Sequence, residues 1–242
     1  VWRKENAGTH SKCIEERQTR PQLNDHIMGT AEADLQNGLI LVRSHIVTYG
    51  HAADAVVTER IRAEIESMWN APQSTVVRHG HSLQVRFVIT AIHTPALQPE
   101  EVYYNTDPRN NYFRIEKTAG GNISSVDGLG SNTGFFLLDN LYEGSTTAAH
   151  EYGHTLGLPH PSHIDFRGKG APPIMCPRGT LVDAAFQYNA AAVAGDNQNG
   201  GTMHPRFREV KDADIQALKL HRKISFHEPV IIGDFSSIWH DA

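Results

Sequence analysis

His150-Glu151-Tyr152-Gly153-His154-Thr155-Leu156-Gly157-Leu158-Pro159-His160 is the most informative stretch of this 242-residue chain. The first two histidines are four residues apart, so on a helix they stand one turn apart on one face. Two imidazoles placed in that way reach a single zinc ion. Glu151 follows the first histidine and is turned about 100° around the helix axis, which puts it beside a metal rather than on it. Gly157 then stops the helix, because glycine accepts the left-handed conformation that commonly ends one. The turn, stiffened by Pro159, lets the chain swing His160 toward the same point. Three neutral imidazoles leave a fourth position open, the pattern of a catalytic zinc site rather than a closed structural one. His150, His154 and His160 are therefore read as ligands of one catalytic Zn²⁺, and Glu151 as the base that takes a proton from water. With 15 histidines in the chain, the competing reading is a helix carrying two solvated histidines by chance.

The flanking sequence supplies the elements. A helix is predicted from Ser145 or Thr146, either of which can cap it, to Leu156. Before it, Gly134–Leu138 reads as a short strand, and 120–134, rich in Gly, Ser and Asn, as loop. Further upstream, Leu39–Val47 and the alternating Leu83, Val85, Phe87 and Ile89 read as strands, with Tyr112–Ile115 as a shorter one. Val57, Ile61, Ile65 and Met68 recur at helical spacing over Ala53–Trp69. After Gly157 the chain is loop-rich to about Val210, and a last helix is predicted over Asp212–His221. Residues 1–37 are polar, mixed in charge and without periodicity, and read as a prosegment or N-terminal tail ahead of a domain at 38–242.

Hydrophobic residues make up 39% of the chain and charged residues 20%, enough for a real core. A net charge of -5 argues against nucleic acid or an anionic membrane as partner, and no apolar run is long enough to span a bilayer. The polar start, Val1–Glu5, lacks the apolar core of a signal peptide.

The 150–160 stretch resembles the HExxHxxGxxH signature of the metzincin metallopeptidases, matched at every fixed position. The resemblance implies an α+β, two-lobed zincin. A mixed, mostly parallel sheet with two main helices would form the upper lobe, about 38–157. An irregular lower lobe, about 158–242, would end in a helix. It implies a secreted, monomeric zinc endopeptidase acting on extended protein or peptide substrates, with Glu151 passing its proton to the leaving amine.

The family also carries a methionine in a tight turn beneath the metal. Ile174-Met175-Cys176-Pro177 is similar to the matrixin form, with Cys176 in place of the usual tyrosine; Thr202-Met203-His204-Pro205 is the alternative. Met175 is preferred for its Ile-Met-x-Pro context and its shorter distance from His160, and either residue is otherwise a gap-filling core methionine. Pro161 stands where astacins carry Glu, so the resemblance is closer to matrixin-like bacterial members. In metzincins substrate adds to an edge strand above the cleft. Gly134, Phe135, Phe136 and Leu137 are the matching segment, unless they form an ordinary core strand. Matrixin zymogens place a prosegment cysteine on the zinc, which makes Cys13 a candidate switch ligand, although Ser11–Glu15 lacks the matrixin propeptide pattern. A free thiol and a disulfide to Cys176 are the other readings of Cys13. Asp196-Asn197-Gln198-Asn199-Gly200 offers oxygen donors for Ca²⁺ without a full calcium-loop pattern and is read as a loop. Two further functions compete with a general endopeptidase. One is a toxin or effector domain with a single dedicated target. The other is a zinc-stabilised, non-catalytic peptide-binding module, against which Glu151 argues because such a module needs no base beside its metal.

Overall fold

The computed structural model describes residues 29–118, 123–193 and 201–241. In chain order Thr30–Asp34 (β1) precedes Leu39–Tyr49 (β2), the helix Ala55–Asn70 (α1) and the hairpin strands Thr75–Arg78 (β3) and His81–His93 (β4). Then come a short helix Pro99–Tyr103 (α2), Asn110–Glu116 (β5), Ser125–Val126 (β6), Thr133–Leu137 (β7) and the helix Thr147–Thr155 (α3). Asp212–Ala217 (α4), Leu220–Lys223 (α5) and Val230–Ile231 (β8) complete the order.

The architecture is α+β. The sheet runs β3-β4-β2-β5-β7-β6, and its central pairs, β4 with β2, β2 with β5 and β5 with β7, are parallel. Antiparallel pairs sit at the margins. β2 explains the layout. It buries alternate residues up to Ser44 and every residue from Ile46 to Tyr49, the change expected where a strand passes from one covered face to two. Its one edge is shared end to end: β1 pairs with Leu39–Arg43 and β5 with His45–Tyr49. β1, which lies inside the 1–37 stretch read as a prosegment or tail, therefore belongs to the sheet.

α1 is capped by Asp54, whose Oδ1 accepts from Val57 N at 2.7 Å, and buries Val57, Ile61, Ile65 and Trp69. Trp69, rather than Met68, completes the inward stripe. The predicted helix over 212–221 is broken in two at Lys219, which takes φ 55°. Leu218 and Leu220, flanking the break, are 2% and 0% exposed. Residues two apart face opposite sides of a continuous helix, so burying both requires the break. The main core joins the sheet, α1 and α3 to Ile174, Met175, Ile215 and Leu220, so both lobes share it. A small separate cluster holds Cys176, Val182 and Met203. Among the described residues no helix is long and apolar enough to cross a membrane.

The edge-strand expectation for 134–137 is corrected. β7 is paired on both sides, with β5 and with β6, the latter through Ser125↔Phe135 and Val126↔Gly134. Gly134 makes this cover possible: a Cβ there would lie 3.1 Å from Val126 Cα. The open edge belongs to β6, inside the stretch read as loop.

Candidate metal centre and cleft

α3 carries the first two histidines, and its placement is enforced from outside. Thr146, at its N-terminus, sits at φ 61° and makes no side-chain cap. Ser145 Oγ instead accepts from Thr147 N at 3.2 Å, and Glu64 Oε1 on α1 accepts from Ala149 N at 3.1 Å. Trp69 Nε1 donates to Ala149 O at 3.0 Å. α1 thus holds both backbone groups of the residue before His150. On the far side, the Tyr152 hydroxyl lies 2.8 Å from Ser44 Oγ in β2.

Gly157, at φ 86°, ends the helix, and Leu158 N donates to Gly153 O at 3.0 Å. This turn brings His160 back. The Nε2 of His160 lies 3.2 Å from that of His150 and 3.0 Å from that of His154. The three rings grade from buried His150 through half-buried His154 to exposed His160, and this group could hold a metal ion. Two tautomers are fixed by the surroundings: His150 Nδ1 lies 2.7 Å from Ile174 O, and His154 Nδ1 2.7 Å from Leu158 O. A carbonyl only accepts, so each Nδ1 carries its hydrogen and each Nε2 presents a lone pair to the centre. With its own Nε2 unprotonated His160 adds a third lone pair, and lone pairs converging at 3.0–3.2 Å repel one another unless a cation lies between them. Nitrogens each about 2.0–2.1 Å from a tetrahedral ion stand roughly 3.3 Å apart, so the donor set fits zinc. Burial, foremost, and the nearby Arg208 cation lower the proton affinity of all three rings, His150 most of all. Neutral rings are the form that binds metal.

Met175 packs against α3: a Cβ on Gly153, between the two helix histidines, would overlap its sulfur. Its neighbour Ile174 supplies the carbonyl that orients His150. Met203 lies instead in the small cluster with Cys176 and Val182. Cys176 is a free, fully buried thiol, pushed up to about 11 by burial. Cys13 and the 196–200 stretch lie outside the described residues.

Glu151 is 7% exposed. Burial pushes its carboxyl up to about 8, against the opposing pull of Arg208 and the Val126 backbone N–H. Asp127 N donates to Thr133 O at 3.0 Å, so antiparallel alternation turns the backbone groups of Val126 away from β7 and into the cleft. The cleft, about 590 Å³, is lined by β6, the three histidines, Glu151 and, opposite, Pro177, Arg178 and Arg208.

Sequence reading missed two groups. Arg208, 6% exposed, donates from Nε to Thr146 Oγ1 at 2.9 Å and from Nη1 to Cys176 O at 3.2 Å. Burial lowers it to about 10, partly offset by Glu151 and Glu64. Glu64 is raised by burial and stabilised as an anion by the N-terminal amides of α3. Neither residue sits in a local pattern.

No protein-family model and no curated protein matches the sequence. Among solved structures, archaemetzincin (amzA) from Methanopyrus kandleri superposes with a TM-score of 0.37 at 10% identity, over 75% of this chain and 96% of that one. So loose a likeness leaves the functional reading to the geometry of the site itself.

Proposed function

We propose that the chain is a zinc-dependent endopeptidase, with His150, His154 and His160 as metal ligands, Glu151 as general base and Met175 as the floor of the site. The observation that carries this is the convergence of three Nε2 atoms, two of them tautomer-locked, beside a buried carboxyl. Zn²⁺ bound there supplies Lewis-acid polarisation of a peptide carbonyl and acidifies water. Glu151 receives the proton on its carboxylate and delivers it to the departing amine. A value near neutrality suits a group that must both take and give a proton, and the Val126 N–H holds the charged form in place. With its N–H engaged by Glu151, Val126 leaves its carbonyl on the outer edge of β6 to accept from an extended peptide crossing the cleft. Closure by Cys13 belongs to the same reading: a thiolate is a good zinc ligand and would occupy the open position.

The test is hydrolysis of an unfolded protein substrate by the zinc-loaded chain, beside Glu151→Ala. Both forms should retain about one zinc per chain by elemental analysis, and only the wild type should cut. A wild type that binds zinc yet cuts nothing, or a Glu151→Ala variant that cuts equally well, would refute the reading. Equal activity of the intact chain and its Cys13→Ala variant would refute latency alone.

A further inference from the structure

Arg208 is 6% exposed, and an arginine buried to that degree ordinarily faces a carboxylate. Among the described residues no acidic oxygen lies within ion-pair distance of it; its two hydrogen bonds go to a hydroxyl and a backbone carbonyl, through Nε and Nη1. Nη2 makes neither kind of bond, and it is not among the side-chain atoms sealed from solvent without a partner. Nη2 thus keeps some contact with solvent, and Arg208 is one of the residues that line the cleft. Thr146 and Cys176 fix the plane of the guanidinium from behind, leaving this donor edge free. A second guanidinium, Arg178, also lines the cleft, tethered to Asn140 Oδ1 at 2.8 Å, and among the described residues Glu151 is the only acid on the lining.

We propose that Arg208, seconded by Arg178, is a carboxylate-recognition site, and that the preferred substrates carry a carboxylate close to the bond that is cut. The idea rests on the peptidase reading above and adds the substrate class to it. A guanidinium held in place by fixed partners binds a carboxylate by short, charge-assisted hydrogen bonds, and an amide of the same shape does not replace the charge. The carboxylate belongs to an Asp or Glu side chain or to a free C-terminus; both present the same group.

The experiment uses the zinc-loaded full chain and matched peptides in which a Glu is moved along the sequence on either side of the scissile bond. Each peptide is paired with its Gln counterpart, and each is made as free acid and as C-terminal amide. At one position Glu should exceed Gln in kcat/KM by about tenfold or more, a difference of about 1.4 kcal/mol. If the free acid rather than the side chain gives that ratio, the terminal carboxylate is the ligand. Arg208→Gln should bring the ratio close to one and Arg208→Lys to an intermediate value. A merely structural arginine would change rates without changing the ratio. Should Arg208→Gln fail to fold, the wild-type ratio decides alone. Calorimetric binding of the same pairs to the zinc-loaded Glu151→Gln chain reads recognition without turnover. Cleavage with no preference for Glu or for the free acid overturns the carboxylate site and leaves the peptidase reading intact. Selective binding without any cleavage by the wild type keeps the site and overturns the peptidase reading. Neither cleavage nor selective binding overturns both.

Discussion

Gly153→Ala probes the packing beneath the metal centre. Gly153 lies on α3 between His150 and His154, and an added Cβ would overlap the Met175 sulfur and stand 3.1 Å from both Met175 Cε and Trp69 Cζ2. Both neighbours are buried, Met175 at 4% and Trp69 at 1% exposure, so either must shift within the packed core. In an open helix the same change stabilises by about 1 kcal/mol, whereas overfilling a packed core costs about 1–3 kcal/mol. The expected net is a loss of up to about 2 kcal/mol, read as a Tm lower by roughly 2–4 °C per kcal/mol for a domain of this size. Displacing Met175 also displaces Ile174, whose carbonyl orients His150. Disturbing such a partner typically weakens metal binding about 10–100-fold. Thermal melts of the metal-free chain and competition with a fluorescent zinc chelator give the two numbers. Adding Met175→Ala should recover part of the Gly153→Ala loss, with a coupling of about 1 kcal/mol or more in the double-mutant cycle. A higher Tm for Gly153→Ala, with zinc affinity unchanged and no coupling, would refute the contact.

Three other outcomes concern Glu64, Cys176 and Glu151. Glu64→Gln should lower stability by about 1–2 kcal/mol, as loss of a charged helix-end acceptor does, and should weaken zinc binding through α3; urea titration and zinc competition report each, and an unchanged pair of values would remove Glu64 from the site. Cys176 should react with a thiol reagent at pH 8 only after denaturation when Cys13→Ala leaves it as the sole thiol, because it is buried and raised to about 11; rapid native labelling would contradict its burial. In the metal-free chain Glu151, raised from its usual 4.5 to about 8 on folding, holds its proton more tightly folded than unfolded, so its contribution is complete below about pH 4.5 and is lost as pH rises through about 8; urea midpoints should therefore fall across that window more steeply for wild type than for Glu151→Gln.

The parts of this molecule legible in the sequence are those encoded locally. The motif from His150 to His160 is contiguous, and helix period plus one glycine places its donors. β2, β4 and α1 declare themselves by burial at period two or at helical spacing. β1 could not be read, because Thr30-Ala31-Glu32-Ala33-Asp34 has one fully buried residue, Ala31, and becomes a strand only by pairing with β2 and β8. β6 is two residues long and exists as a cover for β7, which is why 134–137 looked like an open edge. Glu64 and Arg208 lie far from the motif in sequence and meet it only in space. Glu64 is charged and off the apolar stripe of α1, so helical spacing marks it as a solvated position, although it faces the end of α3.

Metal binding at this centre should release a proton from Glu151, and the argument follows from charge. In the metal-free state the carboxyl is raised to about 8 chiefly by burial, so at pH 7 the protonated form predominates. The histidines contribute little, since burial and Arg208 already hold them below their usual value and the rings are neutral at pH 7. A divalent cation on the three Nε2 atoms adds positive charge beside Glu151 and favours its ionised form. The carboxyl then gives up its proton to solvent as the ion enters. Calorimetric titration with zinc at pH 7, repeated in buffers of different ionisation enthalpy, counts the protons released. Wild type should release close to one more than Glu151→Gln, and the difference should vanish as pH rises past about 8. Equal release by the two forms at pH 7 would mean that Glu151 is already ionised before the metal arrives, and that burial does not control its charge.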